Sequence, residues 1–222
     1  MPAKVEIYSD AGTMQISEST PSLVLQQKIR IDQEPTIWPG DNPGQAWKYA
    51  DMWIDAVAPM VAFIGDPYAF FPQVTQEGPN RFKVRMWINT PSRIQGWAYV
   101  FDRPRPQDAK YLSLYDAQGR LTYTLGAKPM RIVGTGMVAP NGFVEETIPE
   151  FQAGRVYAGV MCAPAVSTYN RSFTCMGIGT GVGWNGRVGL FGQPVGIPKI
   201  GVGGSPNQAV IGRVICVDVT GY

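Results

Sequence analysis

A chain of 222 residues with 19 Lys and Arg against 17 Asp and Glu, net charge +2, scatters its basic residues singly, without the cluster or stripe that nucleic-acid binding requires. It contains no histidine, which removes the commonest general base, the usual partner of a Ser or Cys nucleophile and the commonest metal ligand. Apolar residues make up 45% of the chain and supply a core, and 26 glycines and 19 prolines speak for frequent turns and not for low complexity.

The N-terminus, MPAKVEIYSD, enters a strand pattern at once and lacks an apolar signal-peptide core, so the expectation is a product made in the cytoplasm without a signal peptide. Residues 4 to 25 then read as two alternating runs joined by Ser-Asp-Ala-Gly, the pattern of an antiparallel hairpin with a short glycine turn. Leu23 to Ile31 continues as a strand. From Gln45 to Val57, Trp47, Ala50, Ile54 and Val57 fall at helical spacing and Pro59 closes the run, which makes this the one helical candidate; an aromatic extended segment fits the same residues. The apolar stretch from Ala56 to Ile64 is interrupted by Pro59 and falls short of the roughly 20 residues of a membrane helix.

Strand patterns follow at Phe82 to Asn89 and Gly96 to Phe101, then a stiff, solvated link, Arg103-Pro-Arg105-Pro. A second hairpin occupies 110 to 134. Its Leu112, Leu114, Tyr115, Gly119, Leu121 and Tyr123 match Val5, Ile7, Tyr8, Gly12, Met14 and Ile16 at one offset of 107 residues, Val5 corresponding to Leu112. Gly12 and Gly119 are expected to take the positive-φ turn position that other residues occupy only at a cost. Further strands are expected at Arg131 to Gly134, Val156 to Cys162, Val188 to Phe191 and Ile211 to Val219.

Short strands at close, turn-punctuated spacing argue for an all-β fold, an antiparallel β-sandwich or barrel-like body with two related halves. Composition divides the chain into a β-rich region, 1–140, holding both hairpins, and a β-rich C-terminal part, 141–222. Within the latter, 177–204 repeats glycine every second or third position. Glycine weakens strand interiors and marks bends or the close approach of another backbone, so this stretch reads as a contact arm ordered by neighbouring subunits or as a flexible hairpin loop. Trp184, with Asn185, Arg187 and Phe191, is the candidate interface within it, since Trp and Arg favour interface hot spots.

Chemistry is sparse. Cys162, Cys175 and Cys216 sit in apolar strand-like runs and read as buried free thiols, with a Cys162 to Cys175 disulfide as the alternative. Asp51 and Asp55 would share a face of the helical candidate, and Glu145 is adjacent to Glu146; neither pair makes the facing carboxylates of a glycosidase. Gly181 to Gly186 satisfies G-x-G-x-x-G, but the following Arg-Val-Gly-Leu-Phe-Gly-Gln-Pro cannot open the helix a dinucleotide site needs. Trp87 and Trp97 lie on alternating strands and are expected in the core. No catalytic, cofactor or metal-binding residue emerges.

The run from Trp97 to Gly134, WAYVFDRPRPQDAKYLSLYDAQGRLTYTLGAKPMRIVG, resembles the core of a poorly characterised family of tailed-bacteriophage proteins. In that family a Tyr-x-Phe-Asp strand precedes a Tyr-Asp-Ala-x-Gly-x-Leu-Thr hairpin and a Pro-x-Arg-Val strand, and the genes lie beside those for tail tip and tail fibres. Pro59 to Gly65 resembles the family's first half. The chain departs from the pattern at Lys110-Tyr111-Leu112, where Tyr-Gly-Leu is common, and at Thr124-Leu125-Gly126, in place of Asp-Ser-Gly. The resemblance implies a non-enzymatic structural virion protein in a tail tip, baseplate or tail fibre. Its partners would be other phage tail proteins and copies of itself, with no nucleic acid and no membrane insertion, and with a host surface receptor as a further option. A receptor- or carbohydrate-binding module is the alternative, and a tail glycoside hydrolase a more remote one.

Overall fold

The computed structural model describes residues 6–8, 14–17, 21–38, 47–65, 70–88, 93–138, 152–163, 166–169, 172–182, 188–196, 209–210 and 212–222. These form antiparallel strands and one 3-10 turn, Pro106–Asp108, with no α-helix among them. In chain order the strands are β1 Glu6–Tyr8, β2 Met14–Ser17, β3 Val24–Gln33, β4 Thr36–Trp38, β5 Trp47–Asp55, β6 Met60–Gly65, β7 Phe70–Gly78, β8 Arg81–Ile88 and β9 Ile94–Asp102. They continue as β10 Ser113–Tyr115, β11 Leu121–Thr124, β12 Arg131–Val138, β13 Tyr157–Ala163, β14 Val166–Tyr169, β15 Ser172–Val182, β16 Val188–Gly196, β17 Ala209–Val210 and β18 Gly212–Asp218.

Within the helical candidate Gln45 to Val57, residues 47–55 form a strand, the extended alternative and not the helix. β5 buries Ala50, Met52 and Ile54, a period of two, and pairs antiparallel with β8 from Lys48↔Ile88 to Asp55↔Arg81. The helical spacing of Trp47, Ala50, Ile54 and Val57 was a coincidence of wide aromatic spacing, because the half-buried sheet accommodates Tyr49 and Trp53 on its other face. Asp51 and Asp55 keep a common face, since residues four apart share one on a strand as well.

Two large sheets carry the molecule. One has six strands in the order β12-β18-β13-β6-β9-β3, the other eight, with β17-β14-β15-β7-β8-β5-β4 in line and β16 also paired to β15. Both draw strands from either side of residue 140. Between them lies a core of Ile31, Ala50, Met52, Ile54, Val61, Phe63, Val84, Met86, Ile88, Ile94, Ala98 and Val100. The alternate residues of the six-stranded sheet face a second core, Ala62, Tyr99, Phe101, Ala158, Val160, Val217 and Val219, against which Leu23, Met130 and Tyr222 pack. That sheet is thus buried on both faces, which explains the continuous apolar runs of β6 and β9.

Its two edges meet at one end. The N–H of Leu25 donates to Lys128 O and that of Met130 to Leu23 O, each at 2.8 Å, around a bridge between Val24 and Pro129. Lys28 Nζ donates to Tyr222 O and Lys128 Nζ to Gly221 O, each at 2.7 Å, and the Tyr222 hydroxyl donates to Pro129 O. The sheet therefore closes partway toward a barrel.

Sheet order reads alike from both ends, and the registers repeat. In β3/β9, Val24↔Asp102 and Leu25↔Phe101 are followed by a bulge at Gln26 and by Gln27↔Val100 through Ile31↔Gly96. In β12/β18, Arg131↔Asp218 and Ile132↔Val217 are followed by a bulge at Val133 and by Gly134↔Cys216 through Val138↔Gly212. Each β12 residue stands 107 positions after its β3 counterpart, and Asp218 stands 116 after Asp102. Likewise Met60↔Phe101 to Phe63↔Ala98 corresponds to Ala158↔Val217 to Met161↔Val214. The two hairpins obey the same relation, Glu6↔Ser17, Ile7↔Ile16 and Tyr8↔Met14 against Ser113↔Thr124, Leu114↔Tyr123 and Tyr115↔Leu121, each with a register shift before its tyrosine. Two copies of one strand plan meet where β6 pairs with β13, at Phe63↔Gly159.

Candidate interaction surface

The β10–β11 hairpin shows what its motif residues do. Asp116 Oδ1 accepts the N–H groups of Gln118 and Arg120, both at 2.9 Å, Asp116 Oδ2 accepts Arg120 Nε at 2.6 Å, and Gly119 turns the chain at φ +73°. The Arg120 backbone N–H above all, with the Gln118 N–H and the Arg120 guanidinium, holds the Asp116 carboxyl below its usual range against the opposing effect of burial. The Leu-Thr-x-Thr run buries two hydroxyls. Thr122 Oγ1 donates to Leu114 O at 3.1 Å. Thr124 Oγ1 lies 2.9 Å from Lys110 O and 3.1 Å from Lys110 N, tying strand to flanking segment.

This scaffold presents Tyr111, Leu112 and Leu125 to solvent, 91%, 52% and 57% exposed. Leu112 and Leu125 are neighbours, the N–H of Leu125 donating to Leu112 O at 3.0 Å. Tyr111 is the only described non-glycine residue at positive φ, +55°, a costly conformation for a bulky side chain. Gly126 beside it is required: a Cβ there would stand 2.4 Å from Lys110 Cβ. Tyr115 on β10 and Ile132 and Val133 on β12 are exposed as well, so apolar side chains gather on the β10–β12 segment.

The outer face of β5, β8 and β7 carries the other organised cluster. Arg85 makes two 2.7 Å bonds to Asp51, lies 4.0 Å above the Tyr49 ring and has its pKa raised chiefly by the hydrogen bond to Asp51. Trp87 Nε1 donates to Gln73 Oε1 at 3.2 Å. The half-exposed Trp53 donates its indole N–H to Glu77 at 3.0 Å, and Lys83 first, then Trp53, keeps the Glu77 carboxyl below its ordinary range.

Trp87 is buried as expected, but Trp97 is 37% exposed: it stands mid-strand on β9, paired with Arg30 and Ile64, and Lys28 Nζ lies 4.8 Å from the centre of its ring. Cys216 is buried and Cys162 is an exposed free thiol, which removes the Cys162 to Cys175 disulfide and corrects the burial expected of Cys162. It lies toward the end of β13, where the pairing with β18 shifts register and the core ends. Burial first, and the Asp218 charge second, push the Cys216 thiol up to about 12.

Trp184, Asn185 and Arg187 lie outside the described residues, as do Glu145 and Glu146. Phe191 stands on β16 opposite Gly179 of β15. The glycine-rich stretch is, over 177–182 and 188–196, an antiparallel strand pair whose other edge meets β14 and Phe70.

Two buried carboxylates escaped the sequence reading. Asp102 accepts the N–H groups of Val57, Ala58 and Arg103 at 2.7 to 2.9 Å. Its counterpart Asp218 accepts the Thr220 N–H at 2.9 Å and Arg155 at 2.5 Å. Each ties down the segment leading into β6 or β13. The signal was Tyr-x-Phe-Asp at one strand end and Cys-Val-Asp at the other. Comparison of the chain with protein-family models, curated proteins and solved structures returns no match.

Proposed function

We propose that this chain is a structural, non-enzymatic virion protein of a tailed phage or prophage, a part of tail tip, baseplate or tail fibre that acts by docking onto other subunits. The observation that supports this reading is the gathering of exposed apolar side chains, Tyr111, Leu112, Leu125, Ile132 and Val133, on the segment whose sequence resembles the phage family. A hairpin held by Asp116, Thr122 and Thr124 keeps Tyr111, Leu112 and Leu125 of this set in a fixed arrangement, which lowers the ordering cost of binding. The organised carboxylates have structural partners: Asp51 binds Arg85, and Asp102 and Asp218 bind backbone N–H groups.

A receptor- or carbohydrate-binding module is the second reading, favoured by Trp53, whose half-exposed ring is tethered through its indole N–H to Glu77, itself paired with Lys83. Mass spectrometry of gradient-purified particles separates the two from an unrelated role. Peptides of this chain are expected at the stoichiometry of a tail component, and their absence from intact particles would overturn the proposal.

A further inference from the structure

In the eight-stranded sheet β8 lies between β5 and β7, and cross-strand register sets their side chains in rows. One row is Asp51, Arg85 and Gln73, the next is Trp53, Lys83 and Thr75, and Asp55 beside Arg81 follows. Alternation puts these residues on the face opposite the core residues Met52, Ile54, Val84 and Met86. The Trp53 row spans two strand spacings, roughly 10 Å. The pairing of β7 with β8 shifts register between Gln76 and Gly78, and the residue left over is Glu77. A bulge re-aims a side chain, and this one sends the Glu77 carboxylate across β8, where it accepts the Trp53 indole N–H at 3.0 Å and meets Lys83 Nζ at 2.6 Å. An aromatic on one strand and a carboxylate from two strands away are joined in this way around a cation.

We infer that this face is a binding site for a neutral, hydroxyl-rich glycan, one sugar ring of which stacks on Trp53 while its hydroxyls bond to Glu77, Lys83, Thr75 and Gln73. Trp53 is 49% exposed although its one polar group is satisfied, so what it offers to a ligand is apolar ring surface. A pyranose presents the complement, a face of C–H groups rimmed by hydroxyls that donate and accept. The rim finds both kinds of partner. Glu77 has lone pairs to spare, Gln73 uses only its Oε1, on Trp87, and the exposed Thr75 has a hydroxyl. Charge decides the ligand class: Asp51, Asp55 and Glu77 are matched by Arg81, Lys83 and Arg85, leaving no net field to attract a polyanion or a polycation. A protein partner would use a cluster of apolar anchors, whereas Trp53 is the only large apolar side chain of β5, β7 and β8 exposed on this face among the described residues. Val74, also exposed, lies on the other face, opposite Val84. The bonds among Trp53, Glu77 and Lys83 fix the site before a ligand arrives, which lowers the ordering cost of binding. The inference rests on the carbohydrate-binding reading and names its site and ligand class; the surface at Tyr111 takes no part in it.

Isothermal titration of the purified full chain with cellohexaose, maltohexaose, mannohexaose and galactohexaose, and with hexagalacturonate as the anionic comparison, tests it. At least one neutral hexasaccharide is expected to bind saturably at millimolar concentration, more tightly than the acid, and Trp53→Ala should weaken that binding by about tenfold or more. A second measurement needs no variant. In hydroxyl-radical footprinting of the unaltered protein, the sugar that binds should protect the peptide around Trp53 and leave the peptide around Trp97, the exposed tryptophan of β9, as reactive as before. Binding that survives Trp53→Ala, or protection away from Trp53, overturns the site and leaves the carbohydrate reading standing. Tighter binding of hexagalacturonate overturns the ligand class, and no binding of any neutral sugar overturns both the site and that reading.

Discussion

At the scale of single residues, two buried aspartates each tie one half together internally. Asp102 satisfies three backbone N–H groups, and Asp102→Ala leaves them without an acceptor, at a cost on the order of 2–3 kcal/mol readable in chemical denaturation. For Asp218 burial raises the pKa, but Thr220 and Arg155, with Arg131, more than offset it and the net shift is downward. A carboxyl lowered on folding stabilises the protein at pH above its ordinary value of 3.8, and that stabilisation is lost as the pH falls through the lower folded value. Asp218→Asn is therefore expected to cost stability at neutral pH and to flatten the acid limb of the stability–pH curve; an unchanged acid limb would contradict this. The thiols differ in the same environment-driven way. Cys162→Ser should remove an accessible thiol equivalent in native labelling, although burial pushes that thiol up as well, whereas Cys216→Ser should leave the native count unchanged, because thiolates react and a thiol with its pKa pushed up to about 12 forms few.

At the scale of elements, the β10–β11 hairpin is over-determined. Gly119→Ala forces a side chain into φ +73° and should lower stability by about 1 kcal/mol, and Gly126→Ala should lower it more, since the new Cβ meets Lys110 Cβ, an atom fixed to the backbone. A Gly126→Ala protein as stable as the parent would refute the packing account of that glycine. This hairpin was legible in the sequence because Asp-Ala-x-Gly and Leu-Thr carry local chemistry that needs no distant partner. β5 was not, since its apolar residues fit two periods and only its pairing with β8 selects the extended one. β6 and β7 were hidden for a related reason: β6 is buried on both faces and shows no alternation, and β7 carries Pro72 amid mostly exposed side chains. The exposed patch at Tyr111 carries no signal in the sequence, because its exposure follows from the backbone turn at its own φ; Trp184 lies outside the described residues.

At the scale of the whole molecule, the duplication lay beyond the reach of one constant offset. The interval between counterparts is 107 residues at β3 and β12, 116 at Asp102 and Asp218, and 98 at Ala62 and Val160, so only the stretch from the hairpins into the following strand stays in step. Counterparts share place and not chemistry, as Gln26 and Val133 do. The second core joins Ala62, Tyr99 and Phe101 of one half to Ala158, Val160, Val217 and Val219 of the other, which makes separate unfolding of the halves costly. Denaturation followed by tryptophan fluorescence and by far-UV circular dichroism is expected to give one coincident transition; two resolved transitions would contradict the shared core.

The proposed docking role rests on the exposed apolar side chains of the β10–β12 segment, and Tyr111, the most exposed of them, reports on it directly. Hydroxyl-radical footprinting of the free chain and of purified particles compares its accessibility in the two states. Docking through this surface predicts heavy oxidation of the peptide around Tyr111 and Leu112 in the free chain and strong protection in particles. Equal oxidation in both, with the chain present in the particles, would contradict it.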